Sequence, residues 1–458
     1  MSLNSPTYWA EHAWRNGTVE HGVVLATGPG GRIAGVTPGV PSPPAGAVPL
    51  RGLTVPGLAD AHSHAFHRAL RGGAQLGGGT FWTWRAGMYE LAARLTPDTV
   101  LALARAVYAE LALAGVTAVG EFHYVHHRPD GRPYANPHAM AEALIAAAAQ
   151  AGIRITLLDT CYLAAGFGRE PEPPQRRFSD GTAARWAERA AALHAAHDGQ
   201  AGAEGDVRVG AAIHSVRAVP APALATVAEW AAARAAPLHV HLSEQPAENE
   251  DCLRAHGCTP AALLAEHGAL GPGTTAVHAT HLGAADIALL GRTGTRVCLC
   301  PTTERDLADG IGPAGPLRRA GSPLCLGSDS HAVIDLFEEA RALELHERLR
   351  TLTRGHFTAT ELLRAAGEEG HAALGRPDCG RLEAGCRADF TTVALDTVRT
   401  AGPDARLAAE TVVFAATAAD VRHTVVGGRH LVREGVHQLV PDVPGALRRA
   451  IAAVRAGR

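Results

Sequence analysis

The chain has 458 residues, 47% of them hydrophobic and 19% charged, with a formal net charge of −3. That is enough apolar material for one large catalytic domain with a smaller companion, or for two to three domains of ordinary size. So small a net charge gives no sign of a nucleic-acid or membrane-surface partner.

All 42 basic residues are arginine. This removes Schiff-base lysine chemistry, a phosphate-loop lysine and a carbamylated lysine bridging two metals. The eight cysteines (Cys161, Cys252, Cys258, Cys298, Cys300, Cys325, Cys379, Cys386) form no CxxC pairs and read as reduced thiols of a cytoplasmic protein. Met1 is not followed by a basic segment and an apolar run, so no signal peptide is read. No apolar stretch is long enough to span a membrane.

Residues 1–54 read as short strands and turns, with alternation in GTVEHGVVLATGPGGRIAGV (17–36) and a Pro/Gly/Ala-rich linker at 39–48. From 55 to 375, eight apolar runs alternate with Ala-rich helical stretches. The runs fall at 53–65, 115–125, 153–163, 206–216, 237–245, 274–282, 295–304 and 322–331. The helices fall at 97–114, 137–151, 181–197, 220–235, 259–268 and 283–291. Strand–helix alternation predicts a parallel sheet, and a count of eight predicts an α/β fold of the (β/α)8 TIM-barrel type. Polar residues gather at the end of nearly every apolar run, where a barrel places its active site. From 376 to 458 short strands return (380–395, 410–416, 421–437), and a last helix follows at about 444–456. The two chain ends are expected to build one small β-sandwich domain together.

The chemistry-bearing residues sit at those strand ends. His62-Ser63-His64 places two imidazoles on one side of a strand, since residues two apart share a face. Alone, such a pair is weak evidence among 25 histidines, and His239-Val240-His241 repeats it with only one ligand needed. His241-Leu242-Ser243-Glu244 ends the fifth run, although Glu244 could equally cap the next helix. His278 ends the sixth run. Asp329 ends the eighth, where a lone SDSH would more often be a turn or a cap. Arg217 lies just past the fourth strand, and Arg85 lies in an aromatic-rich loop after the first. Phe81, Trp82, Trp84 and Tyr89 of that loop read mostly as packing.

Taken in order, HxH, His-x-x-Glu, His and Asp on strands 1, 5, 6 and 8 resemble the amidohydrolase superfamily. The resemblance narrows with DAHSHAFHRALRG (60–72), TFWTWRAGMY (80–89), GEFHYVHH (120–127), IHSVRAV (213–219), HLSEQ (241–245), CPTTERDLADG (300–310) and GSDSHAVIDLFEEARALE (327–344). These segments are similar to the formimidoylglutamate deiminases, which hydrolyse N-formimidoyl-L-glutamate to N-formyl-L-glutamate and ammonia in histidine degradation. The resemblance implies one zinc ion per subunit held by His62, His64, His241 and Asp329, with iron the other ion such an N3O set would take. It implies proton transfer by Glu244, His278 and Asp329, and substrate binding by His67, Arg85, Tyr124, His214 and Arg217. At His67, relatives often carry Gln. It further implies a small dicarboxylate amidine as substrate and a homodimer. Two other readings stand beside it: a mononuclear zinc deaminase of an aminated heterocycle such as guanine or an adenosine derivative, and a catalytically dead scaffold.

Overall fold

The structure, a computed structural model, describes residues 6–197 and 205–457. Met1, the start of the expected N-terminal portion, and Arg458, the end of the C-terminal one, lie outside the described residues.

Eight parallel strands form a barrel: Leu58–Ser63, Val116–His123, Arg154–Cys161, Val207–Ile213, Leu238–Leu242, Thr274–His278, Arg296–Leu299 and Leu324–Leu326. Each pairs with the next in chain order. The ring is completed where Ser63 bridges Asp329 in parallel fashion. These strands are covered on both faces, so their sequences run nearly continuously apolar or small instead of alternating. Helices cover the outside, among them Pro97–Leu113, Ala139–Ala151, Ala183–His197, Ala221–Ala232, Pro260–Glu266 and Ala284–Thr293. Closure demands close approach of the last strand to the first. A Cβ at Gly327 would lie 2.7 Å from that of His62, so only glycine fits there.

The chain ends combine in a second, mixed sheet of eight strands. Its order runs Val436–His437, Arg429–Arg433, Val421–Val426, Phe390–Val393, Val48–Pro56, Thr7–Arg15, Thr18–Gly28 and Arg32–Thr37. Arg154, at the start of a barrel strand, ties the two sheets together. Its Nε donates to Asp389 Oδ2 at 2.7 Å and its Nη2 to Oδ1 at 3.0 Å. The final helix, Val443–Arg455, packs on Pro97–Leu113. No helix among the described residues is long and apolar enough to cross a membrane.

Two sequence expectations are corrected. Of the segment 410–416 (ETVVFAA), read as a strand, all but Ala416 lies in the helix Ala408–Ala415, which packs against Leu336–Thr351 and Ala359–Ala366. A short apolar run has no period that separates strand from buried helix, and packing decided it. The aromatic-rich loop holding Arg85 is the helix Phe81–Ala92, at whose start Thr83 Oγ accepts the backbone N–H of Thr80 at 2.9 Å. Phe81, Met88, Leu91 and Ala92 are its buried face.

Candidate active site

The side chains that end the barrel strands converge at one mouth of the barrel. His62 Nε2 lies 3.1 Å from His241 Nε2 and 3.3 Å from Asp329 Oδ1. His64 Nε2 lies 3.4 Å from the same Asp329 oxygen. Ligand atoms about 2.1 Å from a common ion in tetrahedral array are separated by roughly 3.4 Å, so these spacings fit a cation. In two of the three rings, His64 and His241, the opposite nitrogen is engaged as is usual for metal-binding imidazoles, while the buried His62 Nδ1 has no hydrogen-bond partner among the described residues. His64 Nδ1 donates to Phe122 O at 3.0 Å, and His241 Nδ1 donates to His214 O at 2.8 Å. That leaves both Nε2 lone pairs facing the centre. Burial keeps His62, His64 and His241 neutral by lowering their pKa values. Burial pushes the other way on Asp329, yet its hydrogen bond to His62 and the positive charge of His278 hold it below the usual carboxylate range. A neutral N3 set with one carboxylate suits a divalent ion.

The companion His239 is turned to another task, donating Nε2–H to Ala373 O at 3.0 Å. Cys300 is a site member that sequence reasoning missed: its sulfur lies within 4.8 Å of ligand atoms of His278 and Asp329. Burial holds that thiol protonated, which makes it a poor ligand.

Glu244 caps no helix, since the following Pro246–His256 begins at Gln245 without a side-chain cap. Its Oε1 lies 3.7 Å from His278 Nε2 and its Oε2 3.9 Å from Arg217 Nη2. Burial raises its pKa against the pull of those two cations. His278 Nε2 lies 3.8 Å from Asp329 Oδ2, and Glu304 stands 3.5 Å from its Nδ1. Burial lowers the His278 pKa, but Glu244, Glu304 and Asp329 outweigh it and hold the value up to about 10. Backbone strain marks the same mouth: Ser243 (φ 50°), His278 (φ 67°), Ala279 (φ 52°), Asp329 (φ 47°) and His331 (φ 55°) adopt left-handed conformations without being glycine.

Above the cluster lies a cavity. All five residues expected to bind substrate line it, namely His67, Arg85, Tyr124, His214 and Arg217. His64, His241, Glu244, His278 and Asp329 reach it too, whereas His62 is fully buried beneath. His67 Nε2 and the Tyr124 hydroxyl are 3.1 Å apart, and burial lowers the His67 pKa to about 3, leaving it neutral. Arg217 Nε donates to Glu248 Oε2 at 3.2 Å. Glu248 is wholly buried and anchors that arginine from below, a partner with no signal in the sequence. The aromatic run does more than pack, since Phe81, Trp84 and Tyr89 also line the cavity with Met88 and Tyr162.

Residues 53–431 match the Amidohydrolase family. The chain belongs to the amidohydrolase family. Formimidoylglutamate deiminase of Pseudomonas aeruginosa is 38% identical to this amidohydrolase over 403 residues, covering 86% of this chain and 87% of that one. An 8-oxoguanine deaminase of the same organism is 31% identical, over 84% of this chain and 83% of its own. A crystal structure of an amidohydrolase from Brucella melitensis superposes with a TM-score of 0.90 at 31% identity, covering 98% of this chain and 100% of that one. This amidohydrolase is therefore a deaminase-type hydrolase acting on a carbon–nitrogen bond.

Proposed function

We propose that this amidohydrolase hydrolyses N-formimidoyl-L-glutamate to N-formyl-L-glutamate and ammonia. The observation that carries the reading is the pair Arg85 and Arg217 lining one cavity with the His–Asp cluster. Two guanidinium groups suit two carboxylates, and a linear amidine between them would meet the cluster.

His62, His64, His241 and Asp329 would hold one zinc ion, with iron the other occupant that donor set accepts. Zinc bound there would supply a Lewis acid that lowers the pKa of an attacking water toward neutrality. Asp329 would take the proton of that water, with His278 beside it orienting the oxygen toward the amidine carbon. Glu244, its pKa raised by burial, would carry the proton to the imino nitrogen. The tetrahedral carbon then breaks its bond to the protonated nitrogen while its hydroxyl gives up the second water proton, so that the formyl C=O forms and ammonia leaves. Arg85 and Arg217 would hold the carboxylates, with His67, Tyr124 and His214 supplying neutral contacts.

A second reading, deamination of an aminated heterocycle, draws on the likeness to 8-oxoguanine deaminase. Two cavity arginines count against a flat uncharged base. Ammonia release from formimidoylglutamate, formimidoylaspartate and guanine separates the readings. Turnover should be fastest with formimidoylglutamate, and faster release from guanine would overturn the proposal.

A further inference from the structure

The rim of the cavity holds a directional hydrogen-bond chain. Gln175 is fully buried in the short helical segment Pro173–Phe178. Its Oε1 accepts the backbone N–H of Glu172 at 2.8 Å. A backbone amide only donates, so this contact fixes which end of the side-chain amide is oxygen. Its Nε2 must then be the donor to Tyr162 OH at 2.7 Å and to Tyr89 OH at 3.0 Å. Tyr89 OH also accepts Arg85 Nε–H at 2.5 Å. With two donors on its oxygen, the Tyr89 proton has Tyr162 OH, at 3.4 Å, as its partner.

The chain therefore ends at Tyr162. Its oxygen is approached by the Gln175 amide and the Tyr89 hydroxyl, both acting as donors, and its own proton has no acceptor among the described residues. The ring is 3% exposed, packed edge-on to His214 at 4.6 Å and to Phe178 at 5.4 Å between centroids. Tyr162 lines the cavity with Arg85 and Arg217. The proton is thus free for an acceptor that enters the cavity those two arginines also line.

We propose that Tyr162 is a further substrate-binding residue, donating its O–H to a substrate carboxylate, and that Gln175 is the positioning residue that aims it. This rests on the dicarboxylate reading above and adds a donor to it. The segment carrying Gln175 is well suited to hold a fixed orientation. Its Arg177 Nη2 donates to Leu95 O and to His127 O, both at 3.0 Å, which pins the segment to the barrel. Gln175 does not itself line the cavity, so its effect on substrate runs through the wall residues it holds, Tyr162 and Tyr89, and through Arg85 beyond them.

The test compares zinc-loaded wild type with Tyr162→Phe and Gln175→Glu on formimidoylglutamate. Tyr162→Phe keeps the ring packing and should raise KM about tenfold, the loss of one hydrogen bond to a charged group, with kcat within about twofold. Gln175→Glu offers an acceptor where a donor stood, turning the Tyr162 proton away from the cavity, and should raise KM at least as much. Metal content should stay at the wild-type level in both. An unchanged KM in Tyr162→Phe, or a fall in kcat alone, would overturn the inference while leaving the substrate reading intact. A wild type inactive on formimidoylglutamate would sink the substrate reading and this inference with it.

Discussion

The amide of Asp329 donates to the carbonyl of His62 at 2.9 Å, and the amide of His64 donates back to the carbonyl of Asp329 at 3.1 Å. The first and last barrel strands are thus stitched at the level of the proposed ligands. Closing the barrel and assembling the site are one event. Beneath it, Ser63 Oγ donates to Glu121 Oε2 at 2.8 Å and sits 3.0 Å from His331 Nε2. Ser328 Oγ lies 3.1 Å from the other nitrogen of that ring. The residues flanking the ligands are held by buried polar groups.

Asp329→Ala removes the carboxylate of the His62–His64–Asp329 cluster and with it the proposed proton acceptor. Metal content should fall well below one equivalent and the rate by on the order of a hundredfold or more. Atomic absorption on the purified variant checks the first effect; full metal occupancy would remove Asp329 from the ligand set.

Glu244→Gln keeps the shape of the side chain but holds no transferable proton. Ammonia release should drop by roughly a thousandfold, within the range for a lost general acid–base group. Metal content should not change, because Glu244 belongs to none of the side-chain groups placed to hold an ion. Steady-state assays with paired metal analysis read both.

Arg217 has an observed structural part and a proposed substrate-binding one, and a pair of variants separates them. It neutralises Glu248, whose carboxylate is completely buried. Arg217→Ala should therefore cost about 3–5 kcal/mol of stability, the penalty of an uncompensated buried charge. It should also raise KM roughly ten- to a hundredfold through the lost carboxylate contact. Adding Glu248→Gln should restore much of the melting temperature and none of the KM. Recovery of both would assign Arg217 a purely structural part.

Away from the site, Arg189 bridges Asp159 and Asp180, with Nη1 2.7 Å from Asp159 Oδ2 and Nη2 2.9 Å from Asp180 Oδ2. Burial pushes the Asp180 carboxyl up, but its hydrogen bond from His127 and the Arg189 guanidinium hold it well below the ordinary value. A carboxyl depressed in the folded state adds stability above its unfolded pKa of about 3.9, and that share is lost as pH falls through the folded value. Urea midpoints should thus decline below about pH 4 in wild type and decline less steeply in Asp180→Asn. Equal slopes would deny the carboxylate that role.

The strand-end histidines and Asp329 were legible in the sequence because a barrel strand repeats on a period of two and ends in polar residues at the mouth. His62 and His64 could be read as a pair for that reason. The helix Phe81–Ala92 was not, since Gly87, Thr83 and two tryptophans interrupt any helical signature while Phe81, Met88 and Leu91 supply the buried face only once the barrel is present. Glu248, Glu304 and Gln175 were hidden for a different reason. Their partners Arg217, His278 and Tyr162 come from other elements, and only the closed fold brings them within reach.

Anomalous diffraction at the zinc edge from crystals of the zinc-loaded enzyme tests the convergence of these side chains most directly. One peak per chain should appear about 2.0–2.2 Å from His62 Nε2, His64 Nε2, His241 Nε2 and an Asp329 oxygen, with a coordination position left open toward the cavity. A peak elsewhere, or a fully protein-ligated ion with no open position, would contradict it.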